Sequence, residues 1–219
     1  LGSATGEYGM TIRLTNDANY NTIRNCKLQG DTNSTSSNFA NFAISGVGQN
    51  TANSTSGLSG NYNLIEGNTV VGGYYGMTCT GQSVDSANGN IIRNNVIRDH
   101  RYYGMYNYYN DHITVEGNDI SRPNRTNLTT SYGMYNYAST SAQIIGNRIH
   151  DPFAQNTAYT GSAYGIYMGQ FNGTSADPSI VANNMIYNFE SGGTQYGLYP
   201  STLNQTKVIN NTVSMNDPN

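Results

Sequence analysis

Each of the chain's three histidines stands in a short acid–base string: Asp99-His100-Arg101, Asp111-His112 and His150-Asp151. Imidazole and carboxylate are the side chains best suited to moving protons near neutral pH. Two carboxylates placed either side of a glycosidic bond can hydrolyse it. Carboxylates that hold calcium or a sugar acid, with a basic group near the breaking bond, can eliminate across it. The plainer reading makes the same residues solvated turn residues at strand ends. No Asp-x-Asp, Asp-Asp or Arg-x-x-Arg-x-Pro string accompanies them. The decisive question is geometric: whether Asp99, Asp111 and Asp151 converge in one groove.

A second set of candidates is aromatic. The string Tyr102-Tyr103-Gly104-Met105-Tyr106-Asn107-Tyr108 returns almost unchanged at 131–137, and in looser form around Gly9, Ala43, Gly76, Gly165 and Gly197. The glycine position therefore recurs at 9, 43, 76, 104, 133, 165 and 197. A repeat of this length must fix the architecture. Met10, Ile44, Met77, Met105, Met134, Ile166 and Leu198 make one apolar column, expected in the interior. Tyr8, Phe42, Tyr75, Tyr103, Tyr132, Tyr164 and Tyr196 precede the glycine, and two-residue alternation would put them on that same side. Tyr106, Tyr135, Tyr167 and Tyr199 follow the apolar column by one residue and should point outward, with Tyr108 and Tyr137 on the same face; Thr11, Ser45 and Thr78 hold the place in the early repeats. Tyrosine offers an apolar ring and a hydroxyl, which suits a sugar's C–H face and its hydroxyls. The competing account is that neighbouring loops, such as Arg122–Thr130 and Asp151–Ala163, fold over the stripe.

The elements that must position these residues are strands. Apolar residues fall at every second position, and no segment keeps a helical stripe for three turns. Between the tyrosine strings runs apolar-x-x-Asn-x-apolar, as in Ile65–Val70, Ile92–Ile97, Val115–Ile120, Ile144–Ile149, Val181–Ile186 and Val208–Val213. Its asparagines are Asn68, Asn95, Asn118, Asn147, Asn184 and Asn211, with Cys26 in the column in the first repeat. The residue before each asparagine is Gly or Asn, the types that tolerate a left-handed bend. Stacked carboxamides can each donate to one neighbour and accept from the other. Strands this short cannot bury themselves alone, whereas stacked copies about 4.8 Å apart can.

On these two strings the chain resembles the right-handed parallel β-helix repeats shared by pectate-lyase-like and NosD-like proteins. The resemblance implies an all-β solenoid of about seven coils, with residues 1–219 as a single domain. That fold hosts lyases, hydrolases, epimerases, tailspikes and adhesins, so the likeness does not choose an activity. Other repeat folds fit less well: the tryptophan count is zero, leucine is sparse, and no period of six exists.

Composition narrows the partners. Charged residues are 11% of the chain and the formal net charge is −3, so a nucleic-acid surface is not expected. No apolar run of about 20 residues marks a membrane span. Polarity carried by Asn, Ser, Thr, Gly and Tyr suits an extracellular or cell-surface solenoid, and low charge favours a neutral glycan or polysaccharide. The leading expectation is a glycan-binding or structural surface module; the alternative is a polysaccharide-processing enzyme. No cofactor is expected, and calcium enters only with the enzyme. The first tyrosine string begins at Glu7 and the last asparagine string ends at Val213, with no amphipathic helix over either edge. Open edges template pairing, so a segment of a longer helix or end-to-end self-association is expected. The two cysteines, Cys26 and Cys79, lie two coils apart, too far for a disulfide, and are expected as buried free thiols.

Overall fold

The computed structural model describes residues 9–47 and 51–216. Glu7 and Tyr8 of the first tyrosine string lie outside the described residues. The chain winds as a right-handed parallel β-helix with three sheets, one of ten strands and two of seven. All pairings are parallel. Each coil contributes a long strand to the ten-stranded sheet, such as Tyr103–Tyr108 or Ser131–Thr140. It then gives a short strand to each of the other two, such as Thr114–Glu116 and Asp119–Ser121.

The asparagine string forms the corner between the two short strands. The preceding residue takes the left-handed conformation at every coil: Asn25, Gly67, Asn94, Gly117, Gly146, Asn183 and Asn210 all have φ between 52° and 65°. The asparagine side chain turns into the corner and is buried. Asn118 Nδ2 donates to Asn147 Oδ1 at 3.0 Å and to the Ile92 carbonyl at 2.9 Å, while Asn118 N donates to the same Asn147 Oδ1 at 2.9 Å. The pattern repeats from Asn68 to Asn211. A second, shorter ladder of Asn21, Asn63 and Asn90 lines the preceding corner. No repeated string points to it, since Ile113, Ala142 and Ser179 take the place in later coils.

The bore is mainly apolar, filled by Phe42, Met77, Met105, Met134 and Ile166 against Ile65, Ile92, Val115 and Ile144. Two expected columns are corrected here. Pairing aligns Ile12 with Phe42 and Met77, and Met10 with Ala40 and Tyr75. The first two coils are thus displaced by two residues from the expected alignment. Phe42 belongs to the bore, Met10 to an outer cluster, and Ile44 pairs with Cys79. Apolar residues stand at 10, 12 and 14 and again at 40, 42 and 44, so alternation alone cannot choose between registers two residues apart.

The other correction concerns Tyr75, Tyr103, Tyr132, Tyr164 and Tyr196, which do not share the side of the methionines. A Cβ on Gly104 would lie 2.5 Å from Ile120 Cγ2, and one on Gly133 would lie 2.4 Å from Ile149 Cγ2. The glycine and the methionine after it both face inward, so alternation breaks at the glycine and the tyrosine before it turns out. Cys26 is also corrected: it is exposed, while Cys79 is buried, and both are free. In the first coil, no described strand lies on the far side of Cys26.

Candidate functional site

The outward-turning tyrosines form the largest continuous feature of the ten-stranded sheet. Tyr106, Tyr135, Tyr167 and Tyr199 stack along the solenoid, with ring centroids 5.2, 4.7 and 5.3 Å apart and planes within 11° of parallel. Tyr108 and Tyr137 stack beside them at 5.2 Å. Tyr75, Tyr103, Tyr132, Tyr164 and Tyr196 form a third ladder on the other flank. Its rings meet the central ladder edge-on, as for Tyr132 and Tyr135 at 86°. Two-residue alternation puts this flanking ladder on the side of the methionine column, as stacked rings at a corner, and only the break in alternation at the glycine brings it here.

Parallel rings about 5 Å apart overlap face to face. The flat faces of these tyrosines are therefore largely turned to one another. Solvent meets ring edges and hydroxyls, repeated at the coil spacing. The central rings are half-buried by their neighbours. Burial and adjacent phenols raise the Tyr106 hydroxyl to about 12 and also raise that of Tyr135, so both stay neutral donors at physiological pH.

The loops expected as covers do something else. Arg122 Nε donates to the Pro152 carbonyl at 2.6 Å, Gln155 Nε2 to the Pro123 carbonyl at 2.6 Å, and the Tyr159 hydroxyl to the Leu128 carbonyl at 3.2 Å. Loops 122–130 and 151–162 thus pack on each other at the corner before the tyrosine sheet. The cover over the sheet comes instead from residues 51–54, at the third coil: Thr78 Oγ1 donates to the Ala52 carbonyl and Thr80 Oγ1 to the Ser54 carbonyl. Ala52 clusters with Ala40 and Tyr75, and Tyr103 and Tyr106 pack against that cluster. In the places aligned with Tyr106 the early coils carry Arg13, Ala43 and Thr78, not the expected Thr11 and Ser45.

The acid–base strings do not converge. Asp99 and Asp151 share one corner column with Arg122 between them. Asp111 lies at another corner, where Asn110–Asp111 leaves the tyrosine sheet. Asp99 is buried and accepts from Asn124 N at 2.7 Å. His100 is 1% exposed, and its two ring nitrogens find no partner among the described residues. Burial, with Arg122 and Arg125 nearby, holds its pKa well below the usual histidine range, so it is neutral. Arg101 Nη1 donates to Asn127 Oδ1 at 3.0 Å. His112 lies between Asp111 at 2.9 Å and Asp177 at 2.7 Å.

His150 is the best-held of the three. Its Nδ1 is 2.6 Å from Asp151 Oδ2 and its Nε2 is 3.1 Å from Asp119 Oδ1, and its ring stacks on Tyr187 at 4.7 Å. Arg148 pairs with the other oxygen of Asp119 at 2.8 Å. A cavity of about 330 Å³ opens beside it, lined by Asp151, Phe153, Ala154, Thr157, Asn188 and Glu190. Asp119, Arg148, Tyr187 and Glu190 were not singled out from sequence. The legible signal was the register: Asp119 and Arg148 occupy the same outward column on adjacent coils.

Among the described residues no three His, Cys, Asp or Glu side chains gather to hold a metal ion. No described helix is long and apolar enough to cross a membrane. Comparison with protein-family models, with curated proteins and with solved structures gave no match.

Proposed function

We propose that the chain is an extracellular or cell-surface β-helix module that binds a neutral glycan along its tyrosine face. The observation that carries this reading is the half-exposed ladder Tyr106, Tyr135, Tyr167, Tyr199, whose 4.7–5.3 Å spacing approaches that of a sugar ring. Because the ring faces are taken up by their neighbours, recognition runs through hydroxyls and ring edges. Neutral phenols donate to sugar hydroxyls, and the edges pack on C–H groups. The low net charge is compatible with an uncharged polysaccharide.

Binding of the intact chain to a glycan array tests this directly. Tyr135→Ala with Tyr167→Ala should abolish binding, and Tyr135→Phe with Tyr167→Phe should weaken it while stacking survives. Binding that persists through both double changes in a folded protein removes the site.

The second reading is a polysaccharide-processing enzyme, favoured by His150 held between Asp119 and Asp151, the latter also lining the 330 Å³ cavity. Carboxylates and an imidazole in contact can share acid and base roles. Turnover of a polysaccharide panel, lost in Asp151→Asn and in Asp119→Asn, would support it. No turnover by the unaltered chain sinks it.

A further inference from the structure

We propose that the flanking tyrosine ladder is a site of oxidative coupling, where a one-electron oxidant joins Tyr132 to Tyr164 as dityrosine and staples two adjacent coils. This goes beyond glycan binding and uses different residues. Of the ladder's ring pairs, Tyr132 and Tyr164 lie nearest: their centroids are 4.3 Å apart and their planes 3° from parallel. They occupy paired positions on neighbouring strands, which holds the two rings in register. Rings this close, this parallel and in register bring the carbons beside the two hydroxyls within reach of each other. Phenoxyl radicals carry spin on those carbons, which makes them the atoms that couple. The neighbouring pairs Tyr103–Tyr132 and Tyr164–Tyr196 are wider, at 5.2 and 5.0 Å, and tilted by 26° and 21°.

The step balances with a peroxide as the terminal oxidant. Each tyrosine gives up one electron and its hydroxyl proton. The two phenoxyl radicals form one C–C bond between ring carbons, and the ring hydrogens at those carbons move to the oxygens as aromaticity returns. The protein loses two hydrogen atoms, and one hydrogen peroxide becomes two waters. The stacked rings also give the first oxidation many entry points, because a radical formed on any exposed ring has a neighbour about 5 Å away. The hydroxyl of Tyr132 is held neutral by burial and by the phenols around it, so the coupling needs a radical route rather than phenolate chemistry.

The experiment is treatment of the intact chain, at low concentration, with a haem peroxidase and hydrogen peroxide. The readouts are dityrosine fluorescence in the monomer fraction and fragment-ion assignment of the joined residues. The expected result is a monomer lighter by two hydrogens, with a Tyr132–Tyr164 bond and a raised thermal midpoint. Tyr132→Phe keeps the stacked ring and should cut the monomer yield several-fold, whereas Tyr135→Phe should not. The exposed pair Tyr20–Tyr62, stacked at 5.2 Å, reports that oxidant reaches the protein. Coupling confined to Tyr20–Tyr62, only between molecules, or undiminished in Tyr132→Phe would overturn the proposal.

Discussion

Asn147 illustrates how single side chains hold the solenoid. Its Oδ1 accepts from the backbone and the side chain of Asn118, and its Nδ2 donates to the Val115 carbonyl at 2.9 Å and to Asn184 Oδ1 at 3.0 Å. Leucine there would leave the buried N–H groups of Asn118 and the Val115 carbonyl without the partner Asn147 supplies. Asn147→Leu should therefore lower stability by about 1–3 kcal/mol in a denaturant melt. An unchanged midpoint would mean the ladder is ornamental. The glycine of the tyrosine string is constrained just as tightly. A methyl at Gly133 would lie 2.4 Å from Ile149 Cγ2 and 2.8 Å from the Gly165 carbonyl. Gly133→Ala should cost about 1–3 kcal/mol, since backbone on one side and a packed isoleucine on the other leave little room to give.

At the scale of elements, loops are tied across coils by charge. His112, in the fourth coil, reaches Asp177, in a loop of the sixth. Partial burial pulls His112 down, but hydrogen bonds and attraction from Asp111 and Asp177 outweigh it and the net shift is upward. Asp177 is lowered by its hydrogen bonds with Ser141 and then with His112. The signs bound a window. The histidine's contribution is full below its unfolded-state pKa and fades as pH rises through the raised value. The aspartate's contribution is present above its unfolded-state pKa and fades as pH falls through the lowered one. Asp177→Asn should bring the NMR-detected titration of His112 down toward the ordinary histidine range, and the two loops should then exchange amide protons faster. Both partners are about half exposed, so high salt should shrink the effect.

The same scale shows what the sequence makes legible. Alternating apolar residues and the Asn-centred string specify a stacked β-solenoid, because each encodes a strand or a bend locally. The alignment of coils one and two is not encoded that way. Met10, Ile12 and Leu14, like Ala40, Phe42 and Ile44, offer an apolar residue at every second place. Only packing chooses among them. The outward turn of Tyr103 and Tyr132 was hidden for another reason: it depends on Ile120 and Ile149 pressing against the glycine from a different sheet. The buried Arg122 and Arg125 could not be paired from sequence either, because their partners are carbonyls of Pro152, Arg101, Thr129, Asp99 and Ser34. For the candidate site, alternation sufficed to place Tyr106 and Tyr135 outward; the face-to-face stacking that hides their flat surfaces emerges only when coils are superposed.

Over the whole molecule, stability is a sum of coil terms and of interfaces between successive coils. Every sheet pairing joins a strand to the coil before or after it. Loops make contacts between more distant coils, as with Arg125 donating to the Ser34 carbonyl at 2.8 Å and His112 meeting Asp177. Damage in one coil should therefore stay near it. Gly133→Ala, in the fifth coil, presses on the Gly165 carbonyl of the sixth coil and on Ile149 of its own coil, which pairs with Ile120 of the fourth and Ile186 of the sixth. Hydrogen exchange should accelerate in strands Tyr103–Tyr108, Ser131–Thr140 and Ala163–Asn172, while Gly9–Leu14 and Phe39–Ile44 keep the protection they have in the unaltered chain. A uniform rise across all coils would instead reveal one cooperative unit, with the loop clasps at Arg122 and Arg125 binding the stack together more strongly than the sheets do. In that case Arg125→Ala, which frees the 31–38 loop from the fourth coil, should restore locality to the exchange pattern.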